Sequence, residues 1–360
     1  MASLKDFVAW PGAPLAIGSA ALFGASTPLA KGLLGQGVSP WLLAGLLYLG
    51  SGLGLGLWRY GRRLVGRASG EAGLPRGDWG WMALVVLSGG VAGPVLLMLG
   101  LSTTSASSAA LLLNLEGLAT MVLAWVAFRE NVDRRLLIGA AAILSGALLL
   151  SWQGGQALGG FGVGSVFIAA ACLAWGVDNN LTRKISASDP VQIAMVKGLA
   201  AGAVNLALAT AAGAKLPALP LLGGAGVVGF LGYGVSLVMF VLALRYLGTA
   251  RTGAYFSTAP FIGAMLAVAM LGEPIGWRLI AAAALMAVGL YLHLVERHEH
   301  DHIHEPMEHE HAHVHDAHHQ HAHGPDDPEG EPHVHRHRHS LLRHRHAHYP
   351  DLHHRHDHAH

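Results

Sequence analysis

The chain is a succession of long apolar stretches separated by short polar turns. A helix that crosses a membrane needs about 20 apolar residues, and ten stretches meet this length within a few residues. They cover residues 13–34, 40–58, 80–101, 106–128, 135–152, 161–182, 191–212, 220–244, 252–272 and 275–295. The pattern therefore predicts an all-α membrane protein in which ten spans, joined by short connections, pack as a bundle.

Lysine and arginine are concentrated in every second connection between these stretches. Positively charged connections remain on the cytoplasmic side of a membrane, so the connections that hold most of the arginines are predicted to face the cytoplasm. With this orientation the opposite side and its flanks carry only Lys31, Lys215 and Arg278. Both termini are then cytoplasmic, and we expect an integral protein of a bacterial inner membrane.

The composition agrees with a membrane protein and argues against several other classes. Hydrophobic residues make up 52% of the chain and charged residues only 12%, which is far from the balance of a soluble domain. The net charge of +1 comes from short clusters between apolar runs, so we expect no nucleic-acid binding. The apolar part contains no nucleophile with a neighbouring base, and Cys172 is the single cysteine. We therefore predict neither an enzyme nor a disulfide.

The apolar part of the sequence repeats itself. Residues 106–150 match residues 249–293 without a gap, so that Gly146 corresponds to Gly289. The first five spans are therefore duplicated as the last five. An odd number of spans in each copy forces the second copy to enter the membrane from the opposite side. Such inverted repeats are typical of alternating-access transporters, whose solute site lies between the two copies.

This layout resembles the EamA-type transporters of the drug/metabolite transporter superfamily, which have two five-helix repeats. The resemblance rests on the small-residue first helix of each copy and on the turn Leu271-Gly272-Glu273-Pro274 before the last helix. The first helices contain Ser26-Thr27-Pro28 in one copy and Asp178-Asn179-Asn180 in the other. The resemblance covers residues 13–296 and implies a secondary transporter of small organic solutes, often directed outward.

We accordingly divide the chain into three parts. Residues 1–152 and 153–296 are predicted to be the two five-helix repeats, and residues 297–360 a disordered cytoplasmic tail. The first copy departs from the family pattern, because Asn114-Leu115-Glu116-Gly117 stands where the second copy has Ser257-Thr258-Ala259-Pro260. A proline-bent helix is therefore expected only in the second copy.

Ionisable residues at membrane depth are the best indication of a transport pathway, because each costs roughly 2.5–3.5 kcal/mol at the centre of a spanning helix. Glu116 lies in the middle of the fourth span, where Thr120 shares its face of the helix and Asn114 lies on another. The Glu116 carboxylate could carry a proton or hold a cationic solute. The alternative is a structural carboxylate whose oxygens are satisfied by neighbouring helices.

The sixth and seventh spans supply the next candidates, Asp178, Asn179 and Lys197. Consecutive polar residues on a helix cannot all face one way, so at least one residue near Asp178 is expected to line a cavity or to lie near the cytoplasmic end. Lys197 could pair with Asp178 or Glu116, or its long stem could carry the ammonium group to the inner surface.

Two further candidates lie near the ends of spans. Lys31, near the outer end of the first span, could attract an anionic group or extend to the outer surface. Tyr255 and Arg251, four residues apart at the start of the ninth span, could form a gate near the inner mouth. An arginine at this position is also an ordinary marker of the cytoplasmic side.

Histidine is almost confined to the end of the chain, with 24 of the 25 histidines between His298 and His360. Most are in His-x-His steps, and neutral imidazole is a good ligand for zinc, nickel, cobalt and copper. The segment has too few apolar residues to pack, so we expect it to be disordered and to bind these metals without any cofactor being required for transport. The predicted ligands are His311, His313, His315, His318, His319, His321, His323, His335, His337 and His339.

Three functions remain open on the sequence alone. The first is transport of a small organic metabolite across the lipid bilayer, directed outward as the family resemblance implies, with a metal-binding tail. The second is transport of a transition-metal ion or metal chelate, with the tail as collector or sensor. The third is a membrane-anchored metal store. The apolar part holds no histidine before His293 and a single cysteine, which favours the first.

Overall fold

The computed structural model describes residues 12–66, 73–128, 134–152, 161–185, 188–294, 298–304, 308–313, 333–338 and 342–348. Up to residue 294 the described chain is almost entirely helical. Its elements are α1 (Gly12–Gly35), α2 (Pro40–Leu64), a 3-10 turn (Arg76–Asp78), α3 (Trp79–Val85), a first π-helix (Val86–Ala92), α4 (Gly93–Thr103), α5 (Ala106–Leu112), α6 (Leu115–Phe128), α7 (Arg134–Ser151), α8 (Val163–Ile185), α9 (Pro190–Ala211), α10 (Leu219–Gly229), a second π-helix (Phe230–Val235), α11 (Ser236–Phe256), α12 (Ala259–Leu271) and α13 (Trp277–Leu294).

These elements form the all-α bundle of ten spans that the sequence predicts. By length and composition, seven helical segments among the described residues can cross a membrane, and α12 and α13 are shorter apolar helices. The helix α8, which has 23 residues, is the sixth span. The third span consists of α3, the first π-helix and α4, and the fourth of α5 and α6. The eighth and ninth spans are α10 to α12 with the second π-helix.

Helices at equal positions in the two copies pack in pairs, as an inverted duplication requires. The second helix of each copy packs along its counterpart, α2 on α9, and the fifth helices do the same, α7 on α13. The first helix of one copy, α1, packs against α11 and α12 of the other. Its counterpart α8 packs against α4 and α6. The two copies are therefore interlocked around one pseudo-two-fold axis.

Close contacts between α7 and α13 show the same symmetry residue by residue. A Cβ at Gly289 would come within 2.5 Å of the Gly139 carbonyl oxygen, and a Cβ at Gly146 within 3.0 Å of the Ala282 carbonyl oxygen. Gly146 corresponds to Gly289 in the repeat, and Gly139 to Ala282. The second contact is thus the first with the copies exchanged. Small residues at such crossings let helices approach closely where lipid supplies no hydrophobic drive.

The breaks within the fourth and ninth spans differ from the prediction. The apolar pattern predicts a break at residues 245–251, but α11 continues to Phe256 and the turn follows at residues 257–258. Residues 245–251 contain no proline, and their single glycine destabilises a helix by only about 1 kcal/mol. The helix can therefore continue through them. The fourth span is interrupted as well, at residues 113–114. The first copy therefore interrupts its helix without a proline, at the position where the sequence predicts a proline-bent helix only in the second copy.

Four segments of the histidine-rich tail are extended and paired. β1 (His298–His304) is antiparallel to β4 (Leu342–His348), and β2 (Glu308–His313) is antiparallel to β3 (His333–Arg338). The sequence predicts a disordered tail, and the structure differs in these segments. Alternation of histidine with another residue has the two-residue period of a strand, which is compatible with extended backbone. In both pairs histidines are register partners, such as His311 with His335.

Candidate functional site

The first π-helix leaves a backbone carbonyl free inside the bundle. The N–H of Gly93 bonds to the carbonyl of Ser88, five residues back, so the Gly89 carbonyl loses its usual helical partner. This carbonyl instead accepts hydrogen bonds from the hydroxyl of Tyr48 at 2.7 Å and from the indole N–H of Trp175 at 3.0 Å. The wide turn thereby ties the third span to α2 and α8.

Pro94 frees a second carbonyl next to the first. Proline lacks an N–H and cannot donate to the residue four positions back, which here is Gly90. The Gly90 carbonyl accepts from Nδ2 of Asn205 at 3.0 Å, and Asn205 is fully buried on α9. Polar side chains from three neighbouring helices therefore converge on one wide turn.

The glycines of the two π-helices allow the third and eighth spans to approach the polar steps of the first helices. A Cβ at Gly89 would overlap the side chain of Asp178, and a Cβ at Gly232 would come within 2.7 Å of the Ser26 Cβ. Gly89 and Gly232 are repeat equivalents, and Ser26 and Asp178 occupy matching steps of the first helices. Of these two equivalent contacts, only the one between Gly89 and Asp178 therefore includes a charged side chain.

Asp178 and Lys197 form an ion pair within the bundle. Lys197 Nζ donates to Oδ2 of Asp178, and the Thr182 hydroxyl donates to Oδ1 at 3.3 Å. The Lys197 side chain is 18% exposed and that of Asp178 only 6%. Of the alternatives that the sequence leaves open for Lys197, the structure shows pairing with Asp178.

Glu116 lies next to this pair and has an amide partner. Nδ2 of Asn179 donates to Oε1 of Glu116 at 3.0 Å and to the Thr120 hydroxyl at 3.1 Å. Among the residues that the structure describes, no lysine, arginine or histidine forms an ion pair with Glu116. We refer to Glu116, Asn179, Asp178 and Lys197 as the polar cluster. Two carboxylates and one ammonium group give it an excess of negative charge.

A row of aromatic rings adjoins the polar cluster. Neighbouring ring centroids are between 4.8 and 5.9 Å apart, a distance typical of attractive ring pairs. The row contains two tyrosines, Tyr48 and Tyr233, and the hydroxyls of both lie within electrostatic range of Glu116. The members of this aromatic row are, in order of contact, Tyr48, Tyr233, Phe23, Phe256 and Phe240.

Two of the other predicted site residues, Asn114 and Lys31, have hydrogen-bond partners outside the polar cluster. Asn114 is buried, and its amide donates to the Leu111 carbonyl at 2.9 Å and to the Met286 sulfur at 3.7 Å, which is a structural arrangement at the break in the fourth span. Lys31 binds backbone carbonyls near one end of the bundle. Tyr255 is half-buried near the end of α11, and its role in a gate stays a prediction.

The predicted metal ligands of the tail are outside the described side chains. The backbone is described at His311, His313, His335 and His337, whereas the other six positions lie outside the described residues altogether. Within the described part of the chain, no group of three or more His, Cys, Asp and Glu side chains could hold a metal ion. Metal binding by the tail therefore stays a prediction.

Sequence reasoning missed Tyr48, Trp175 and Asn205. A signal for them exists, because Pro94 follows Gly90 by four residues and so implies a carbonyl that needs another donor. The sequence does not say which of the other spans supplies that donor. The partner is selected by helices that are distant in the chain and adjacent only in the bundle.

Known proteins resemble this chain over both repeats. The sequence model of the EamA-like transporter family matches twice, over residues 10–152 and 162–295. An "Uncharacterized transporter" of Methanothermobacter thermautotrophicus is 30% identical over 228 residues, which are 62% of this chain and 66% of that protein. An "Uncharacterized inner membrane transporter YedA" of Escherichia coli K12 is 27% identical over 165 residues, 43% of this chain and 53% of the relative.

The chain therefore spans about two thirds of the archaeal relative and about half of the bacterial one. A solved crystal structure shares the fold, with a TM-score of 0.58 at 19% sequence identity over 78% of this chain and 95% of that one. The twofold family match coincides with the two interlocked five-helix copies, and both relatives are named as transporters rather than enzymes. This protein is accordingly an integral membrane protein that belongs to the EamA-like transporter family.

Proposed function

We propose that the protein is a secondary transporter that binds a small organic solute at the polar cluster and moves it by alternating access. The observation that carries the proposal is Glu116, a carboxylate in the middle of the fourth span. It has an amide partner and, among the described residues, forms no direct ion pair, although Lys197 lies within electrostatic range. Ionisable residues inside a membrane are costly, and they commonly mark solute or proton pathways.

The charges of the cluster favour a solute that carries an amine. Lys197 neutralises Asp178, and this leaves Glu116 as the excess charge of the site. Tyr48 and Tyr233 lie within electrostatic range of Glu116, and their ring faces attract cations and apolar groups. A solute with a cationic amine and an apolar or aromatic part would match both sets of side chains.

The orientation that we propose places both termini in the cytoplasm and transport in the outward direction. The support is the concentration of arginine in every second connection, together with the resemblance to families that often export solutes. In this orientation the end of the bundle that contains Lys31 and the turn at Gly272 faces outward. The polar cluster then lies between this end and the arginine-rich side.

The proposal is tested first by binding and then by transport. Purified full-length protein is heated with a panel of amines, amino acids and organic anions, and a bound solute raises the melting temperature because it binds the folded state. Solutes that bind are then measured for uptake into proteoliposomes. We expect amine-bearing solutes to bind, and Glu116→Gln to abolish both their stabilising effect and their transport.

The matched control is Asp78→Asn, which removes a carboxylate from the 3-10 turn outside the polar cluster. This variant should bind and transport like the unmodified protein. If Glu116→Gln is equally unaffected for every solute that binds, the assignment of the site to Glu116 is wrong.

We also propose that the tail is an accessory that binds zinc, nickel, cobalt or copper on the cytoplasmic side. The proposal is supported by the density of His-x-His steps and by imidazole chemistry. Truncation after Arg297 should remove most zinc binding measured by calorimetry and leave amine transport intact. Zinc uptake into vesicles that requires Glu116 would instead support the metal-transport alternative, and loss of both activities on truncation would contradict an accessory role.

A further inference from the structure

We infer that Lys31 and Glu273 form a clasp that holds one end of the bundle closed, and that alternating access requires this clasp to open. The inference concerns residues outside the polar cluster. It rests on the proposed transport cycle, because a clasp of this kind has a function only if the bundle opens at that end.

The clasp surrounds a break in the chain between the third and fourth spans. α4 ends at Thr103 and α5 begins at Ala106, and Thr104 between them has extended backbone with φ −117° and ψ 150°. A helix end leaves carbonyl or N–H groups without helical partners. Near the apolar part of a membrane, such groups require partners from the protein.

Lys31 supplies partners for the carbonyl side of the break. It lies on α1, in the first copy, and Nζ donates to the carbonyl of Leu101 at 2.6 Å and to that of Thr104 at 2.8 Å. A longer contact of 3.4 Å joins it to the Ser102 carbonyl. A cation is also favoured at the C-terminal end of a helix by the helix dipole. Lys31 therefore holds the end of α4.

Glu273 supplies partners for the N–H side. Its Oε1 accepts from the N–H of Ala106 at 2.6 Å, and its Oε2 accepts from the N–H of Ser107 at 2.8 Å. Glu273 comes from the second copy, directly after Gly272, whose φ of 64° ends α12 with a left-handed turn. Two side chains from different copies thus hold the two helix ends of one break.

The helices below the clasp are closely packed. α12 packs against both α1 and α5. A Cβ at Gly263 would come within 2.8 Å of the Gly24 carbonyl oxygen and within 3.1 Å of the Ala110 Cβ. A solute cannot pass between α1, α5 and α12 in this arrangement. To separate them, the protein must release the helix ends that Lys31 and Glu273 hold.

The two charges bind to helix ends and do not form a hydrogen-bonded pair, although each also lies in the electrostatic field of the other. Each side chain bonds to backbone groups of the break, and the described residues show no ion pair between Lys31 and Glu273. Exchange of the two charges would place each one at the helix end that disfavours it. The double variant Lys31→Glu/Glu273→Lys should therefore leave the clasp open, whereas a simple ion pair would be restored.

The first test measures the separation of α1 and α12 at this end. Full-length protein with Cys172→Ala carries spin labels at Gln36→Cys and Ile275→Cys, two exposed positions outside the clasp. We expect Lys31→Met and Glu273→Gln each to shift the distance distribution to longer values. Lys215→Met removes an exposed lysine from the connection after α9 and should leave the distribution unchanged. Identical distributions in all variants would overturn the inference.

The second test measures access to the buried side of the clasp and does not need a solute. Thr27 is 3% exposed and lies one turn from Lys31 on α1, so Thr27→Cys reports opening. In intact cells a membrane-impermeant maleimide should label this cysteine several-fold faster in the clasp variants and in the charge-exchanged double variant. Labelling of the double variant at the unmodified rate would contradict the clasp.

Folding and function are controlled separately in these tests. Each variant is first checked for a single elution peak, and Lys31→Gln, which keeps hydrogen-bond donors but not the charge, replaces Lys31→Met if that protein aggregates. A failure of Glu116→Gln to affect transport would contradict the proposed solute site without affecting these measurements. Unchanged distances and labelling would contradict the clasp and leave the solute site in place.

Discussion

Lys197 and Asp178 form a partly buried ion pair that has no counterpart in the first copy, where Leu47 and Ser26 occupy the equivalent positions. The two five-helix copies are therefore equivalent in their backbone packing but not in their charges. The charge pair is adjacent to Glu116, which is also unmatched, because Ala259 stands at its position in the second copy. The chemistry of the site is thus concentrated on one side of the pseudo-two-fold axis.

The ion pair predicts that substitutions at Asp178 and Lys197 have strongly coupled effects on the stability of the protein. Lys197→Met leaves the Asp178 carboxylate buried without its cation and should destabilise the protein by about 3–5 kcal/mol. Asp178→Asn together with Lys197→Met should recover most of this loss, because no unpaired charge remains. Thermal unfolding in detergent measures the effect, with Lys215→Met as the control for an exposed lysine. Losses that simply add in the double variant would show that the residues are not coupled.

Close helix contact predicts opposite outcomes for two glycines on the same interface. A Cβ at Gly198 would come within 2.7 Å of the Gly52 nitrogen, so Gly198→Ala should force α2 and α9 apart and cost about 1–3 kcal/mol. At Gly56 a Cβ would meet only the Met195 sulfur, at 3.8 Å. Gly56→Ala should be neutral or stabilising by up to about 1 kcal/mol. Equal melting temperatures for both variants would argue against this packing.

The freed carbonyls of the first π-helix predict an order of effects. Asn205→Leu removes the donor to the Gly90 carbonyl and should cost about 1–3 kcal/mol, because that buried carbonyl is left unsatisfied. Tyr48→Phe should cost less, about 0.5–1.5 kcal/mol, since Trp175 still donates to the Gly89 carbonyl. The melting temperatures of the two variants test this, and the reverse order would be inconsistent with the hydrogen bonds described.

Asp189 predicts a separation of capping from ion pairing at the start of α9. Its Oδ1 accepts from the N–H of Val191 at 2.9 Å, and its Oδ2 accepts from Arg59 at 2.5 Å. Asp189→Asn should keep the cap and lose the ion pair, whereas Asp189→Ala should lose both and cost about 0.5–2 kcal/mol more. Thermal unfolding of both variants and of Arg59→Met checks this. An alanine variant as stable as the asparagine variant would exclude a capping role.

The prediction of the fold succeeded where it depended on long periodic patterns. Ten apolar stretches and the repeat at residues 106–150 and 249–293 are sufficient for the inverted bundle, because a membrane admits only helices that satisfy their own backbone. Local breaks were less predictable. The chain continues as helix through residues 245–251, where continuous backbone hydrogen bonding outweighs the low propensity of one glycine.

The prediction of the site was incomplete for a different reason. Glu116, Asp178, Asn179 and Lys197 are identifiable as costly residues at membrane depth, and the structure brings all four together. The sequence also indicates Lys31, but as a residue that attracts an anionic group or extends to the outer surface. Its contacts with the end of α4 depend on residues about 70 positions later in the chain.

The sequence by itself determined the class of protein, the number of spans and the inverted duplication, because hydrophobicity and repeat periodicity are properties of consecutive residues. Only the tertiary structure decided that Asp178 pairs with Lys197, that Asn179 joins Glu116 to Thr120, and which side chains bind the carbonyls that the π-helix frees. These contacts join side chains on different helices. They depend on the rotation and the crossing angle of each helix in the folded bundle, which consecutive residues do not specify.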